Sequence, residues 1–242
     1  MKPAAFEYVA ARSVDEALEA LAVEGARVLA GGQSLMPLLN AREVRPSRLV
    51  DINHAGLGVI RRRDGALSLG ATVRQAALLR SAIVLEGWPL LALAAAHVGT
   101  PATRTRGTVG GSLMHDDPRA ALPAALAALD AHPKQKDGLL PFKLLLEIEV
   151  PPMPKAARCG YAQFARTRGV FPDAGAAVVV APGHVAIALL GTGRAARAEA
   201  AVRAGASARE AGEIAAELVE GDHRRALVAD VTRRALEQAG RR

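Results

Sequence analysis

The 242-residue sequence contains a single cysteine, Cys159. One thiol excludes an internal disulfide and any cysteine-rich metal or iron–sulfur site within the chain. The six histidines include no His-x-x-x-His pair, so a zinc site is not expected either. Any metal with which this protein works is therefore expected on another chain.

Aromatic residues are also scarce, with one Trp, two Tyr and four Phe. So few rings offer no stacking platform for single-stranded nucleic acid. The net charge of +7 is the kind of signal that nucleic-acid-binding proteins give. Here, however, only five of the 31 basic residues are lysine, and the arginines are spread along an alanine-rich chain. We interpret the charge as a compositional bias and expect no nucleic-acid partner.

Long apolar runs are absent as well. None approaches the roughly 18 residues that span a bilayer, and the N-terminal Met1–Ala4 lacks the apolar core of a secretory signal peptide. We therefore expect no membrane span and a cytoplasmic location. Half of the residues are hydrophobic, which indicates a folded chain long enough for one large or two modest domains.

The first fifty residues predict a βαβ-type unit. Ser13 and Glu16 predict a capping box, in which the Ser13 hydroxyl accepts from the Glu16 amide and the Glu16 side chain returns to the Ser13 amide. The predicted elements are strands at 6–9, 27–30 and 48–51, with helices after Ser13 and at 34–41.

The pattern changes after this unit. Asp64-Gly65 predicts a hairpin turn between strands at 58–61 and 66–69. Farther along, the predicted elements are a helical region at 72–97 divided near Gly87 and Pro89, a Gly/Thr/Arg-rich loop at 99–112, a helix at 118–130 and a strand at 145–150.

Closely spaced prolines between 133 and 154 predict a domain boundary near 152–157. Beyond it, the sequence predicts paired strands at 174–181 and 184–190, then helices at 199–216 and 222–239. The expected fold class is therefore α/β and α+β: a larger α/β region at 1–155 followed by a small sheet-plus-helices domain at 156–242.

Two short glycine loops carry the strongest chemical signal. Ala30–Leu35 reads Ala-Gly-Gly-Gln-Ser-Leu between a predicted strand and a predicted helix, a setting that offers free backbone N–H groups and a helix dipole to a phosphate. Thr108–Ser112 repeats Gly-Gly and a hydroxyl residue about eighty residues later. Because a diphosphate needs donors from more than one direction, the pair predicts a cleft with 31–35 facing 108–112. Two unrelated turns are the alternative, since neither loop has Rossmann or Walker spacing.

These motifs resemble the FAD-binding subunits of the xanthine dehydrogenase family, above all its carbon monoxide dehydrogenase medium-subunit branch. The resemblance runs almost end to end. It rests on Ala30–Leu35, on Thr108–Leu113 followed by His115-x-Asp117-Pro118, and on Tyr161-x-x-Phe164-x-x-x-Arg168.

The resemblance implies a p-cresol methylhydroxylase-type FAD-binding fold, with α/β subdomains at about 1–54 and 55–155 and FAD between them. A three-stranded, helix-covered domain would follow and close over the flavin. Backbone N–H groups of 31–35 and 110–112 would hold the diphosphate. The implied cofactor-binding residues are Gly31, Gly32, Gln33, Ser34, Leu35, Thr108, Gly110, Gly111, Ser112, His115, Asp117 and Tyr161.

The resemblance also implies an oxidoreductase subunit that is active only within a complex and has no catalytic residue or metal of its own. In the family, a large molybdenum-cofactor subunit hydroxylates the substrate and a small subunit carries 2Fe–2S clusters. Electrons reach the flavin singly and leave for NAD, oxygen or a quinone. The expected role of this chain is to position FAD and tune its potential.

Three of the implied residues have a purely structural alternative. His115 has the features of a capping or core histidine, and Asp117 before Pro118 is a good helix N-terminal signal whatever it binds. Tyr161 stands near a domain boundary, where packing is its alternative role. Cys159 is expected to be an inert thiol.

The sequence departs from the family pattern in five places. Pro101–Gly107 lacks two amide side chains of the family, and Val170 replaces an aspartate. Ala121 stands where the family has an acid able to hold a ribose hydroxyl, Gln163 replaces a lysine, and the segment 130–146 is shorter than in relatives. Each loss weakens binding if it leaves a polar cofactor group unpaired. The alternative function is therefore a degenerate member with weak or no FAD binding that acts as a structural or assembly subunit.

Overall fold

The computed structural model describes residues 2–137, 143–167 and 169–241, so Arg168 of the family motif lies outside the described residues. In chain order the elements are β1 (Glu7–Ala10), α1 (Val14–Leu21), β2 (Ala26–Leu29), α2 (Leu35–Ala41), β3 (Arg48–Asp51), β4 (Ile60–Arg63), β5 (Ala66–Gly70), α3 (Gln75–Leu78), α4 (Ala82–Gly87), α5 (Pro89–Ala96), α6 (Pro101–Arg106), α7 (Val109–His115), α8 (Ala121–Ala128), β6 (His132–Asp137), β7 (Lys143–Val150), β8 (Arg158–Phe164), β9 (Ala174–Ala181), β10 (His184–Leu189), β11 (Gly193–Arg194), α9 (Ala196–Arg203), α10 (Ala208–Ala216) and α11 (Asp222–Gly240).

The chain divides into two compact units, each assembled from three separate stretches. Unit 1 comprises Met1–Ala77, Pro101–His115 and His132–Glu149, and unit 2 comprises Leu78–Thr100, Asp116–Ala131 and Val150–Arg242. The domain boundaries near 54 and 155 stay predictions.

Unit 1 opens with the predicted βαβ unit, a parallel sheet in the order β1-β3-β2. Helix α1 begins where predicted, because the Ser13 hydroxyl accepts a hydrogen bond from the Glu16 amide at 3.1 Å. The returning bond of the capping box was predicted to the wrong amide: the Glu16 carboxylate accepts from Arg12 N at 2.7 Å. Apolar residues of α1 pack in one core with Val50, on β3, and with Ile52, just after it.

The second sheet of unit 1 has the order β4-β5-β7-β6. Asp64 and Gly65 join β4 to β5 with φ angles of 51° and 82°, which confirms the predicted hairpin and its primed turn. Strand β6 was not predicted. All six of its side chains are exposed, so the sequence His132–Asp137 shows no apolar alternation.

The prediction of a loop at 99–112 is wrong, because this stretch forms α6 and α7. Glycine and threonine have low helix propensity, but tertiary contacts override it here. The Val109 amide donates to the Val73 carbonyl at 2.9 Å, and the Gly110 amide donates to the Ala71 carbonyl at 3.1 Å. Val109 is fully buried, so the first turn of α7 is held by the segment that follows β5.

Unit 2 contains an antiparallel sheet in the order β11-β10-β9-β8. Three strands were expected; the fourth, β11, has only two residues. The helix predicted at 199–216 is two helices, since Gly205 adopts a φ of 98° and Ser207 starts α10 with a complete capping box. Helix α11 lies so close to β8 that a Cβ on Gly160 would stand 1.9 Å from the Ala235 carbonyl oxygen.

The fold class, α/β and α+β, is confirmed by these sheets and helices. Among the described residues, no helix combines the length and the apolar character needed to cross a membrane.

Candidate functional site

The first glycine loop joins β2 to α2 in unit 1, and its first three carbonyl groups, those of Ala30, Gly31 and Gly32, accept hydrogen bonds. Gly32 adopts a φ of +71°, a conformation that glycine takes without strain. The carbonyl bonds are from Asn53 Nδ2 to Ala30 O at 2.9 Å, from Gln33 Nε2 to Gly31 O at 3.3 Å, and from Met36 N to Gly32 O at 3.0 Å.

Within the described part of the chain, no acceptor bonds the amides of residues 31–35. In a trans peptide, the carbonyl of one residue and the N–H of the next point in opposite directions. The N–H groups of Gly31, Gly32 and Gln33 therefore point away from the groups that bond the preceding carbonyls. All five residues are at least partly exposed, and free backbone N–H groups in such a loop can bind an anion.

The first glycine loop packs against Arg106 and Gly107, the two residues before the second loop. The groove expected between 31–35 and 108–112 stays a prediction. A Cβ on Gly31 would stand 2.4 Å from the Arg106 carbonyl oxygen and 2.9 Å from the Gly107 Cα. Gly31 is thus required by the contact between the loops, and Gly32 by its backbone conformation. The glycines alone do not indicate a ligand; the free amides are the groups with which an anion could bond.

In the second loop the expectation of free amides at 110–112 is wrong. The Gly110 amide donates to Ala71 O at 3.1 Å, the Gly111 amide to Thr108 Oγ1 at 2.9 Å, and the Ser112 amide to Thr108 O at 3.1 Å. These groups belong to the first turn of α7, which packs on the end of β5. Gly110 is needed there, because a Cβ would lie 2.5 Å from Ala71 O. FAD contacts of Thr108, Gly110, Gly111 and Ser112 stay predictions.

Two residues after β5 fix the second loop, and sequence reasoning did not find them. The backbone N–H of Gln75 donates to Gly107 O at 2.9 Å, and Arg74 forms an antiparallel β-bridge with Thr108. Arg74 also donates from Nη1 to Arg106 O and from Nη2 to Asn53 Oδ1, the latter at 2.7 Å. No periodicity or motif marks Arg74, Gln75 or Asn53 as parts of a site.

Of the remaining predicted residues, His115 is exposed at the end of α7 in unit 1, whereas Asp117 belongs to unit 2. The Asp117 carboxylate accepts from Arg119 Nε at 3.0 Å and Nη2 at 2.9 Å. These bonds raise the pKa of the Arg119 guanidinium, which stacks 4.7 Å from the Phe171 ring centroid. Arg119 thus occupies both oxygens of Asp117.

Tyr161 is buried within unit 2, with 4% of its surface exposed. Its hydroxyl donates to Gln163 Oε1 at 2.7 Å, and its ring centroid lies 5.2 Å from that of His97. Burial raises the pKa of the phenol. The same unit contains Ala121, which is 6% exposed at the start of α8. Roles of His115, Asp117 and Tyr161 toward the cofactor stay predictions.

Comparison with known proteins identifies the part of the chain that contains both loops. The family described as "FAD binding domain in molybdopterin dehydrogenase" matches residues 4–138, more than half of the chain.

Two curated relatives extend the similarity. The 6-hydroxypseudooxynicotine dehydrogenase complex subunit alpha of Paenarthrobacter nicotinovorans is 41% identical over 202 residues, covering 74% of this chain and 68% of the relative. The carbon monoxide dehydrogenase medium chain of Hydrogenophaga pseudoflava is 35% identical over 216 residues, covering 78% of this chain and 75% of the relative.

Solved structures show the same fold over the whole chain. A carbon monoxide dehydrogenase from Hydrogenophaga pseudoflava superposes with a TM-score of 0.90 at 32% identity, covering 99% of both chains. Quinoline 2-oxidoreductase from Pseudomonas putida 86 superposes with a TM-score of 0.86 at 31% identity, covering 99% of this chain and 98% of that one. The chain therefore belongs to the FAD-binding subunits of the molybdopterin dehydrogenases, a family of oxidoreductases, and its cofactor is FAD.

Proposed function

We propose that this chain relays electrons through FAD, from 2Fe–2S clusters on a small partner subunit to an external acceptor. A large molybdenum-cofactor subunit would reduce those clusters by hydroxylating its substrate. The observation that carries the proposal is the row of free amides at 31–35 inside the matched FAD-binding domain. FAD, when bound, supplies the redox chemistry, because a flavin takes up electrons one at a time and releases them in pairs.

The described residues fit the diphosphate of FAD. Backbone N–H groups are the donors that anion-binding loops use, and side-chain substitution does not remove them. The departures at Ala121 and Gln163 remove side-chain groups and leave the amides of 31–35 in place. Arg74 adds a half-buried cation beside the loops, and among the described residues no carboxylate pairs with it.

The partner subunits follow from the chemistry that this chain lacks. A 2Fe–2S cluster needs four protein ligands, mostly cysteines, and this chain has one cysteine. Two relatives are named as a complex subunit and a medium chain, which supports an assembly of several subunits. In this proposal, the clusters and the molybdenum cofactor belong to other chains.

Binding of FAD is tested by titrating the purified full chain with FAD and following flavin fluorescence and visible absorption. Saturable quenching and flavin retained after gel filtration are the expected results. ADP should compete, because it carries the same diphosphate without the flavin. A wild-type chain that binds neither FAD nor ADP contradicts the proposal.

The partner claim needs its own experiment. Affinity purification of the tagged chain from its native cell should recover a large molybdenum subunit and a small iron–sulfur subunit. In that complex, substrate should bleach the flavin, and the isolated chain with FAD should show no such bleaching. A flavin-loaded and catalytically competent enzyme from this chain alone would contradict the role.

A further inference from the structure

Two side chains outside the glycine loops hold the backbone of both. Asn53, just after β3, donates from Nδ2 to Ala30 O at 2.9 Å, at the start of the first loop. Arg74, after β5, donates from Nη1 to Arg106 O, two residues before the second loop. Arg74 Nη2 donates to Asn53 Oδ1 at 2.7 Å. One continuous chain of hydrogen bonds therefore runs from Ala30 to Arg106.

The orientation of the Asn53 amide is fixed by the groups around it. Its Nδ2 donates to Asp51 Oδ1 at 2.6 Å as well as to Ala30 O, and its backbone N–H donates to the same Asp51 oxygen at 2.8 Å. The Oδ1 of Asn53 faces the Arg74 guanidinium. A flipped amide would place oxygen against oxygen and nitrogen against a cation, so one orientation is selected.

The anchor of this network lies on the parallel sheet of unit 1. The other oxygen of Asp51 accepts a hydrogen bond from the Tyr8 hydroxyl at 2.8 Å, which raises the pKa of Tyr8. Tyr8 lies on β1 and Asp51 ends β3, and the two strands are paired. The hydrogen-bond chain is thus attached to regular structure, which holds its orientation better than a loop does.

The two carbonyls held by this chain determine the geometry of the first loop. Holding the Ala30 carbonyl fixes the peptide plane that contains the Gly31 N–H, the first free donor. The Arg106 carbonyl is the atom against which Gly31 packs, at 2.4 Å from the position of a Cβ. Asn53 therefore sets the direction of the first donor, and Arg74 sets the spacing between the two loops.

We propose that Asn53 and Arg74 form a clamp that orients the free amides at 31–35 for the diphosphate of FAD. The inference rests on the proposed function and adds two positioning residues to it. Neither residue has to contact FAD, because both act through backbone carbonyls. Loss of either side chain releases the loop, and the ligand then has to order the amides on binding, which weakens affinity.

The test compares Asn53→Ala and Arg74→Gln with wild type in the full chain. Affinity for FAD is measured by fluorescence quenching, affinity for ADP by calorimetry, and stability by thermal unfolding without ligand. Each variant should bind both ligands roughly tenfold more weakly. Because the two side chains act as one unit, the double variant should lose little more than either single variant. Additive losses would overturn the clamp.

Arg48→Gln is the matched control. Arg48 lies on the same parallel sheet and makes the same type of bond, from Nη1 to Ala20 O at 3.0 Å, away from both loops. Its FAD affinity should stay within about twofold of wild type, even where its unfolding temperature falls. If Asn53 and Arg74 only stabilise the fold, all three variants should lose FAD affinity in the same proportion to their fall in unfolding temperature. This result would overturn the clamp.

Two variants separate the effect of the Arg74 charge on FAD affinity from the effect of holding the loop in position. Asn53 is neutral, so a loss of affinity in Asn53→Ala cannot come from a lost charge. Arg74→Lys keeps the charge but replaces the planar fork with a single point donor, and it should remain weaker than wild type. Full affinity in both variants would show that only the charge of Arg74 matters.

The outcomes also separate this inference from the proposed function. A wild-type chain that binds FAD together with variants that bind it equally well overturns the clamp alone. A wild-type chain that binds neither FAD nor ADP overturns both. Should one single variant fail to fold, the other decides the question, since each removes a different end of the same hydrogen-bond chain.

Discussion

Gly31 and the carbonyl of Arg106 are in direct contact: a Cβ added to Gly31 would lie 2.4 Å from the Arg106 oxygen. Side-chain carbons do not approach a carbonyl oxygen this closely, so even a methyl group requires one loop to move. The contact joins residues 75 positions apart, and it sets the distance between the two glycine loops.

Gly31→Ala is therefore expected to lower both stability and FAD affinity. Overpacking at a contact of this kind costs about 1–3 kcal/mol in the free energy of unfolding. The displaced loop should also bind FAD more weakly, as a fluorescence titration would show. Gly58→Ala is the control, because a Cβ there would lie 3.5 Å from Thr72 Oγ1, an ordinary contact. Equal behaviour of the two variants would contradict the prediction.

Sequence patterns predicted the elements whose side chains are mostly buried or whose residues are typical of a turn. The apolar strand β9 and the Asp64-Gly65 hairpin were predicted because burial and turn chemistry leave local signals. Strand β6 has only exposed side chains and leaves no such signal. Helix α7 contradicts its own propensity, since bonds to Ala71 and Val73 determine it and these residues are distant in sequence.

The site shows the same limit. Glycine pairs are visible in a sequence, so the two loops were found. Which amides remain free depends on bonds such as Gly110 N to Ala71 O, which connect separate parts of the chain. Asn53 and Arg74 are 21 positions apart and meet only in the folded chain. Their pairing leaves no spacing or periodicity that a sequence would reveal.

Glu199 is expected to be a main stabilising residue of unit 2. It is 6% exposed, and its Oε1 accepts from the Ile187 amide at 2.9 Å and from Arg194 Nε. Glu199→Ala leaves a buried N–H and a cation without this acceptor, which should lower the free energy of unfolding by about 2–4 kcal/mol.

Urea unfolding measures this loss, and Glu213→Ala serves as its control. Glu213 pairs with Arg209 at 3.0 Å, but the two side chains are 60% and 81% exposed. Its removal should change stability by less than about 0.5 kcal/mol. A loss in Glu199→Ala no larger than that of the control would show that the buried carboxylate contributes little.

Cys159 is expected to react slowly with thiol reagents. Burial raises the pKa of its thiol to about 11, so little thiolate forms near neutral pH. The reaction rate of the native chain should keep rising toward about pH 11, whereas that of the urea-unfolded chain should level off near its ordinary pKa of about 8.5. A native rate that levels off near the ordinary value would contradict the raised pKa of this partly buried thiol.

The same shift makes stability depend on pH in alkaline solution. The folded thiol keeps its proton at pH values where the unfolded thiol has lost it, so ionisation favours the unfolded state. The stabilisation is complete below the unfolded pKa and is lost as the pH rises toward about 11. Cys159→Ala should remove this contribution, and unfolding of both proteins between pH 8 and pH 11 would measure it.

The last prediction concerns the difference between the two glycine loops. Amides at 31–35 have no acceptor within the described residues, whereas those of Gly110, Gly111 and Ser112 are already bonded. Without ligand, hydrogen exchange should be fast in the first loop and slow in the second. Saturating FAD should slow exchange strongly at 31–35 and little at 110–112, because only the first loop gains new acceptors from the diphosphate. Mass spectrometry of peptides that cover each loop measures both. Protection by FAD confined to the second loop would show that the diphosphate is held there, against the assignment made from the free amides.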